Sequence, residues 1–284
     1  MAQSLRRPLL SAVGLSPSCS WRCFSQLPAL RAGPQTPQFA RPRQQADRSI
    51  KLVSKGMQYV PSDIGILEMT FVTPTSNQPS LFREPLRHLK YQWKRFAFRF
   101  RDRFSLIIFK ISSPRGKSWY RRSVKISRST LTPTAVALHR QMYTSFAEGD
   151  VVGLRKLCTD GLYDSFRARI GSRPKGEKML WELVNYNKRS KLVSFRAARL
   201  PIEGAGVMQA VVRIASKQKL TRLVKGKSGG MEVVPGSGKE KDVVEYVVLQ
   251  RQYESWKEGE WQVWGTTKET TLEDVEEWEG KALE

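Results

Sequence analysis

The chain is poor in the side chains that most often carry chemistry, with two histidines and three cysteines in 284 residues. Cys19 and Cys23 lie near the start and Cys158 stands alone beyond them, so the body of the chain can form no disulfide framework, which fits a reducing compartment. One thiol and two separated histidines, His88 and His139, give no metal-ligand set. Long apolar runs are missing too. The most apolar stretch, Leu106 to Phe109 with Ile111, falls far short of the ~20 residues a bilayer core requires, so any membrane contact is expected to be peripheral. Acid is absent from the first 46 residues, and between Arg83 and Arg128 it is limited to Glu84 and Asp102.

Base fills the space that acid leaves. Of the net +23, residues 1–46 carry +6, residues 47–82 carry 0, residues 83–128 carry +13 and residues 129–284 carry +4. Residues 1–24 bear Arg without acid around an apolar turn of Leu5, Leu9, Leu10 and Val13, the composition of a mitochondrial presequence, and Arg22-Cys23-Phe24 before Ser25 resembles a matrix-protease site. Residues 25–82 read as an extended, largely irregular segment, with Pro28, Pro34, Pro37 and Pro42 in its first half. The stretch 83–128 interleaves fifteen Lys or Arg with Trp93, Phe96, Phe98, Phe100, Phe104, Trp119 and Tyr120, and such a block meets a polyanion by releasing counterions.

Within that stretch Leu86, Leu89, Trp93, Phe96, Phe100, Phe104, Ile107 and Ile111 recur at spacings of three and four. At 100° per residue they fall in an arc of about 80°, which predicts a basic amphipathic helix over 84–111 with Pro85 in its first turn. Its stripe has two open readings. One is an interfacial or RNA-docking element with the apolar face in lipid or protein; the other is a helix that packs its stripe on the neighbouring domain. Phe98, Leu106 and Phe109 lie off the stripe and point to contacts on a second side. The candidate phosphate contacts, to rRNA or anionic lipid, are Arg87, Lys90, Lys94, Arg95, Arg99, Arg101, Arg103, Arg115, Lys117, Arg121, Arg122 and Lys125. Trp119 and Tyr120 either stack on an exposed base or pack on the domain.

Three short helices are expected next. The first starts at Thr132-Pro133 and carries Ala135, Leu138, Met142 and Phe146; the second is capped by Asp150; the third carries Leu162, Phe166 and Ile170 and stops at Gly171. Alternation then predicts strands over 183–200, 206–224, 242–256 and 261–270, with Lys257-Glu-Gly-Glu as a tight hairpin and 225–241 as a long loop. Helices first and a meander afterwards predict an α+β domain over 130–270, leaving the basic helix outside its core and an acidic tail at 271–284, either a last helical turn or a loose end.

Tyr143-x-x-Phe-Ala-x-Gly-Asp150, Leu154-x-x-Leu157 and Leu162-Tyr-x-x-Phe166, followed by strands closing on Trp261-x-Val-Trp264, resemble the Tim44-like domain family. Together with the basic extension, they resemble above all its branch in the mitochondrial large ribosomal subunit, the inner-membrane ribosome-receptor type. The resemblance implies a cone-shaped, NTF2-like domain of three helices on a curved antiparallel sheet. It also implies a place near the polypeptide exit, with large-subunit rRNA, neighbouring ribosomal proteins, the matrix face of the inner membrane and the insertion machinery as partners. The other reading it leaves open is a peripheral adaptor of the protein-import motor.

An enzyme of the cone fold is the remaining class, and no catalytic residue, cofactor or metal is expected. His139 beside Leu138 reads as a surface or satisfied helix histidine. Gly226-Lys-Ser228 mimics the end of a phosphate loop, but Thr221 stands where its first Gly belongs and the run joins strands.

Overall fold

The computed structural model describes residues 62–73, 78–115, 122–226 and 230–283. The expected presequence, most of the 25–82 segment, Lys117, Trp119, Tyr120 and Arg121 lie outside the described residues.

The basic stretch forms helix α1, Pro85–Ser112, with Pro in the first turn where no intrahelical N–H is needed. Three helices follow: α2, Leu131–Glu148; α3, Val151–Leu157; and α4, Asp160–Gly171. Helix α2 begins one residue before the expected cap, so Pro133 sits inside the first turn rather than at its start. It ends at Gly149, whose φ of 81° needs a residue without Cβ, and Arg173 donates to its last carbonyls, Phe146 O at 2.5 Å and Ala147 O at 3.0 Å. The Asp150 carboxylate accepts from Gly153 N at 2.9 Å and caps α3.

The sheet holds six described strands in an open antiparallel array: β1, Lys178–Arg199; β2, Gly206–Lys225; β3, Met231–Val233; β4, Glu240–Glu254; β5, Lys257–Glu258; and β6, Gln262–Thr267. Strands β1, β2 and β4 run side by side, β6 pairs with β4, and β1 lies at an edge. Strand β1 bears four register shifts between Leu183 and Ser194. Two loop expectations are corrected. Part of the 225–241 loop is β3, which pairs with the end of β2. The chain reverses at Ser255 and Trp256, both at positive φ, so Lys257-Glu258 is a strand end rather than the turn.

One face of the sheet buries the main core, in which Ala135, Met142, Phe146, Leu154 and Phe166 of the helices meet Phe195, Val212, Ile214, Val247 and Leu249. The opposite face is covered by residues 62–73, which have no regular secondary structure yet bury Ile64, Leu67, Phe71 and Val72. Two buried glutamines satisfy that strap's backbone. Gln209 accepts from Leu67 N at 2.8 Å and donates to Gly65 O at 2.5 Å, and Gln250 donates to Ser62 O at 2.6 Å.

The acidic tail is neither loose nor a single turn: it is helix α5, Leu272–Leu283, seated through Leu272, Val275 and Trp278 against Phe71, Tyr91 and Phe98. Nor does α1 lie outside the core. Its Leu106 and Phe109 belong to the main cluster, and Phe109 lies so close to the start of β2 that a Cβ on Gly206 would stand 2.3 Å from its ring. The fold is therefore α+β with five described helices around an open antiparallel sheet.

Candidate functional site

Helix α1 carries two apolar faces. The buried one is Tyr91, Phe98, Asp102, Leu106 and Phe109. The other is the stripe predicted from the sequence, and it faces solvent: from Leu86 to Ile111 its eight members, joined by Ile108, are 45% to 82% exposed. At 100° per residue the two faces lie roughly opposite each other. The reading in which the stripe packs on the domain is overturned, because the residues lying off the stripe do that work. Along 28 residues the open face extends for about 42 Å. Leu86, Leu89, Trp93 and Phe96, with Lys90 and Gln92, line a shallow groove near its start.

Buried Asp102 fixes α1 to edge strand β1. Its carboxylate lies 3.1 Å from Arg196 Nε and accepts from Ser194 Oγ at 2.7 Å. Burial raises the Asp102 pKa, against the opposing pull of Ser194 and Arg196, and burial lowers that of Arg196. Both shifts have one leading cause, the desolvation of a buried joint that defines where the helix sits. Arg196 also donates to Glu68 O at 2.6 Å, tying the strap into the same joint.

The predicted cations separate into groups. Arg87 reaches Glu84 at 3.3 Å and Glu273 at 3.6 Å, Lys90 reaches Glu276 at 2.8 Å, and Lys94 pairs with Glu279, so helix α5 lines this flank with carboxylates. Arg101 donates to Met69 O at 2.9 Å and lies over the Phe98 ring, an anchor rather than an open contact. Arg95 donates to Gln92 at 3.3 Å. Arg99, Arg103 and the unpredicted Lys110 are exposed, and no carboxylate pairs with them among the described residues. Beyond the helix, Arg115 bridges to Arg122, Arg122 donates to Ser113 O at 3.0 Å, and Lys125 is exposed.

A second cluster, inside the main core, escaped the sequence reading. Glu245, on the inward phase of β4, accepts from His139 Nε2 at 2.9 Å, from Gln218 Nε2 at 2.9 Å and from the Tyr143 hydroxyl; Trp181 Nε1 donates to Gln218 at 3.1 Å. Burial by itself raises the Glu245 pKa, but the hydrogen bonds and charge from His139, with the bonds from Tyr143 and Gln218, outweigh it and hold the carboxyl below the usual glutamate range. Burial, then Glu245, pushes the Tyr143 phenol well up. His139 is thus a buried helix histidine rather than a surface one. Burial also pushes the Cys158 thiol up to about 12, which suits a packing residue rather than a nucleophile.

Among the described residues no helix is long and apolar enough to cross a membrane, and no group of three or more His, Cys, Asp or Glu could hold a metal ion. Compared with known proteins, the chain matches the family described as MBA1-like protein over residues 53–280. No curated protein matches it. The solved intermembrane-space region of the chloroplast protein ARC6 is similar at 8% identity and a TM-score of 0.32, covering 52% of this chain and 100% of its own.

Proposed function

Since the chain belongs to the MBA1-like protein family, we propose that it works where the mitochondrial ribosome meets the inner membrane, the setting tied to that family. In this reading it is a non-catalytic component of the large ribosomal subunit near the polypeptide exit. It sits peripherally on the matrix face and helps hold the ribosome there while new proteins are inserted. Its domain is the Tim44-like cone named by the sequence motifs. Arg115, Lys117, Arg121, Arg122 and Lys125 are its proposed rRNA phosphate contacts, with Trp119 and Tyr120 as the stacking pair.

One observation carries the membrane half of this proposal. A helix held to its domain by one face leaves nine large apolar side chains open on the other. Water does not favour such a face, and RNA phosphates cannot cover it, whereas the boundary between headgroups and acyl chains covers an apolar stripe flanked by cations. Tyr91, Phe98, Leu106 and Phe109 already account for the helix's packing, so the stripe is free for this use.

Flotation of the purified chain with vesicles of neutral and anionic lipid tests this half. The variant Trp93→Ser/Phe96→Ser/Phe100→Ser is expected to lose on the order of 100-fold in partitioning, since each ring is worth over a kilocalorie when buried, while keeping its circular dichroism. Binding equal to that of the unaltered chain would sink the membrane reading. The ribosome half is tested by sedimentation of mitochondrial lysate after detergent. Co-migration with large-subunit rRNA at moderate salt is expected, and migration at the top of the gradient would count against it.

A further inference from the structure

The cations of α1 are divided by helix α5. At 100° per residue, Arg87, Lys90, Lys94 and Arg101 occupy about 60° on one side of the open stripe, and Arg95, Arg99, Arg103 and Lys110 occupy about 80° on the other. On the first side Glu273, Glu276 and Glu279 face Arg87, Lys90 and Lys94 one to one, at the spacing of successive turns. Three positive charges there meet three negative ones, and Arg101 is spent on Met69. On the second side Arg99, Arg103 and Lys110 meet none among the described residues.

We infer that α5 is a built-in counter-anion that assigns headgroup contact to one edge of α1, the edge of Arg99, Arg103 and Lys110, so that the helix meets an anionic lipid surface with that edge and the apolar stripe together. This rests on the membrane reading above and adds the orientation and the side chains.

Two observations support the asymmetry from opposite ends. The hydrogen bond from Lys90, followed by its charge, holds the Glu276 carboxyl below the usual range, so that flank is electrostatically matched. On the other flank, partial burial and then the like charges of Arg95 and Arg103 hold the Arg99 guanidinium below its ordinary value, and no carboxylate meets it among the described residues. Helix α5 keeps its place by apolar contact: Leu272 and Val275 are buried, and Trp278 meets the Phe98 ring edge-on at 6.0 Å. Its carboxylates therefore stay on the Lys90 flank when an anionic surface approaches, and they repel it there. An RNA backbone would also favour Arg99 and Arg103, but it would leave the adjacent stripe exposed, so lipid is the occupant the geometry favours.

Vesicles containing anionic lipid, with the full chain, test this through three variants whose altered side chains leave the buried contacts in place. Arg99→Gln/Arg103→Gln/Lys110→Gln is expected to lower partitioning about 100-fold, from roughly fivefold per cation at a charged surface. Arg87→Gln/Lys90→Gln/Lys94→Gln made together with Glu273→Gln/Glu276→Gln/Glu279→Gln is expected to change it by less than about threefold, because the two sets of charges already cancel. Glu273→Gln/Glu276→Gln/Glu279→Gln keeps the apolar seat and is expected to raise partitioning about tenfold or more.

A loss from the doubly neutralised Lys90 flank equal to that from the Arg99 edge, or no gain from the glutamine variant of α5 alone, would overturn the inference while leaving the membrane reading in place. Binding unaffected by the serine variant of the stripe would remove that reading and the inference with it. If the Arg99 edge proves dispensable for vesicles but necessary for retention on large-subunit rRNA, it is an RNA contact and the inference is wrong.

Discussion

Helices α1 and α2 serve one edge strand in opposite ways. Helix α2 turns nearly every large apolar side chain toward the sheet, with Leu131, Met142, Tyr143 and Phe146 buried. Helix α1 is longer and more aromatic, yet it meets β1 with a narrow face and an ion pair and holds its best apolar stripe in solvent. A helix that needed only to pack would resemble α2. The difference teaches that the stripe of α1 was shaped for something other than folding, whereas the packed face that ties it down is the weaker of its two patterns.

The largest contrast is expected from truncating each helix. Met142→Ala should cost about 2–5 kcal/mol of unfolding free energy in urea by leaving a cavity, while Trp93→Ala should change it by less than about 0.5 kcal/mol because the ring packs on so little. A Trp93→Ala cost near that of Met142→Ala would mean that the stripe is part of the core after all, and the comparison would collapse.

Asp102→Ala should come next, at about 1–3 kcal/mol, because it strands the Ser194 hydroxyl and the buried Arg196 guanidinium. Its signature is local: hydrogen exchange should quicken along 91–109 and stay unchanged along 135–146. Uniform quickening would show that α1 and α2 unfold as one body.

The smallest effect is graded by pH and separates the two buried acids. Glu245 has a lowered pKa in the folded chain, so its stabilisation is present above the ordinary glutamate value and is lost as pH falls through the folded one. Asp102 has a raised pKa, so its contribution is most favourable when protonated and is lost as pH rises through the folded value. Glu245→Gln should therefore flatten the acid side of the stability curve, read by urea unfolding at several pH values. An acid limb as steep as that of the unaltered chain would place the sensitivity elsewhere.

Much of this was legible in the sequence, and the gaps have physical causes. Helices α3 and α4 and the four longer strands fall close to where the sequence pattern puts them, the helices because each buries one face and the strands because β-branched runs mark them even where β2 and β4 bury both faces. The stripe of α1 was equally legible, but a stripe states that a face is apolar and not what covers it. The covering face was present in Tyr91, Phe98, Leu106 and Phe109, interrupted by the charge of Asp102, and an acid inside an apolar series was the sign of a buried joint. The docking of α5 had no local signal: Glu276 meets Lys90 across most of the chain. Glu245 had a faint one, a carboxylate on the inward phase of a strand between Val243 and Val247, but its partner His139 comes from a helix far upstream.

Among the described residues strand β1 pairs with a strand on one side only, and α1 covers just part of its other edge, where Ala197 N donates to Ser105 Oγ at 3.3 Å, so the rest is open to a strand from another molecule. Its four register shifts break the row of open amides, and Lys188, Arg189 and Lys191 charge its most irregular part. A chain that already holds an apolar stripe open on α1 is thereby denied a second route to self-association.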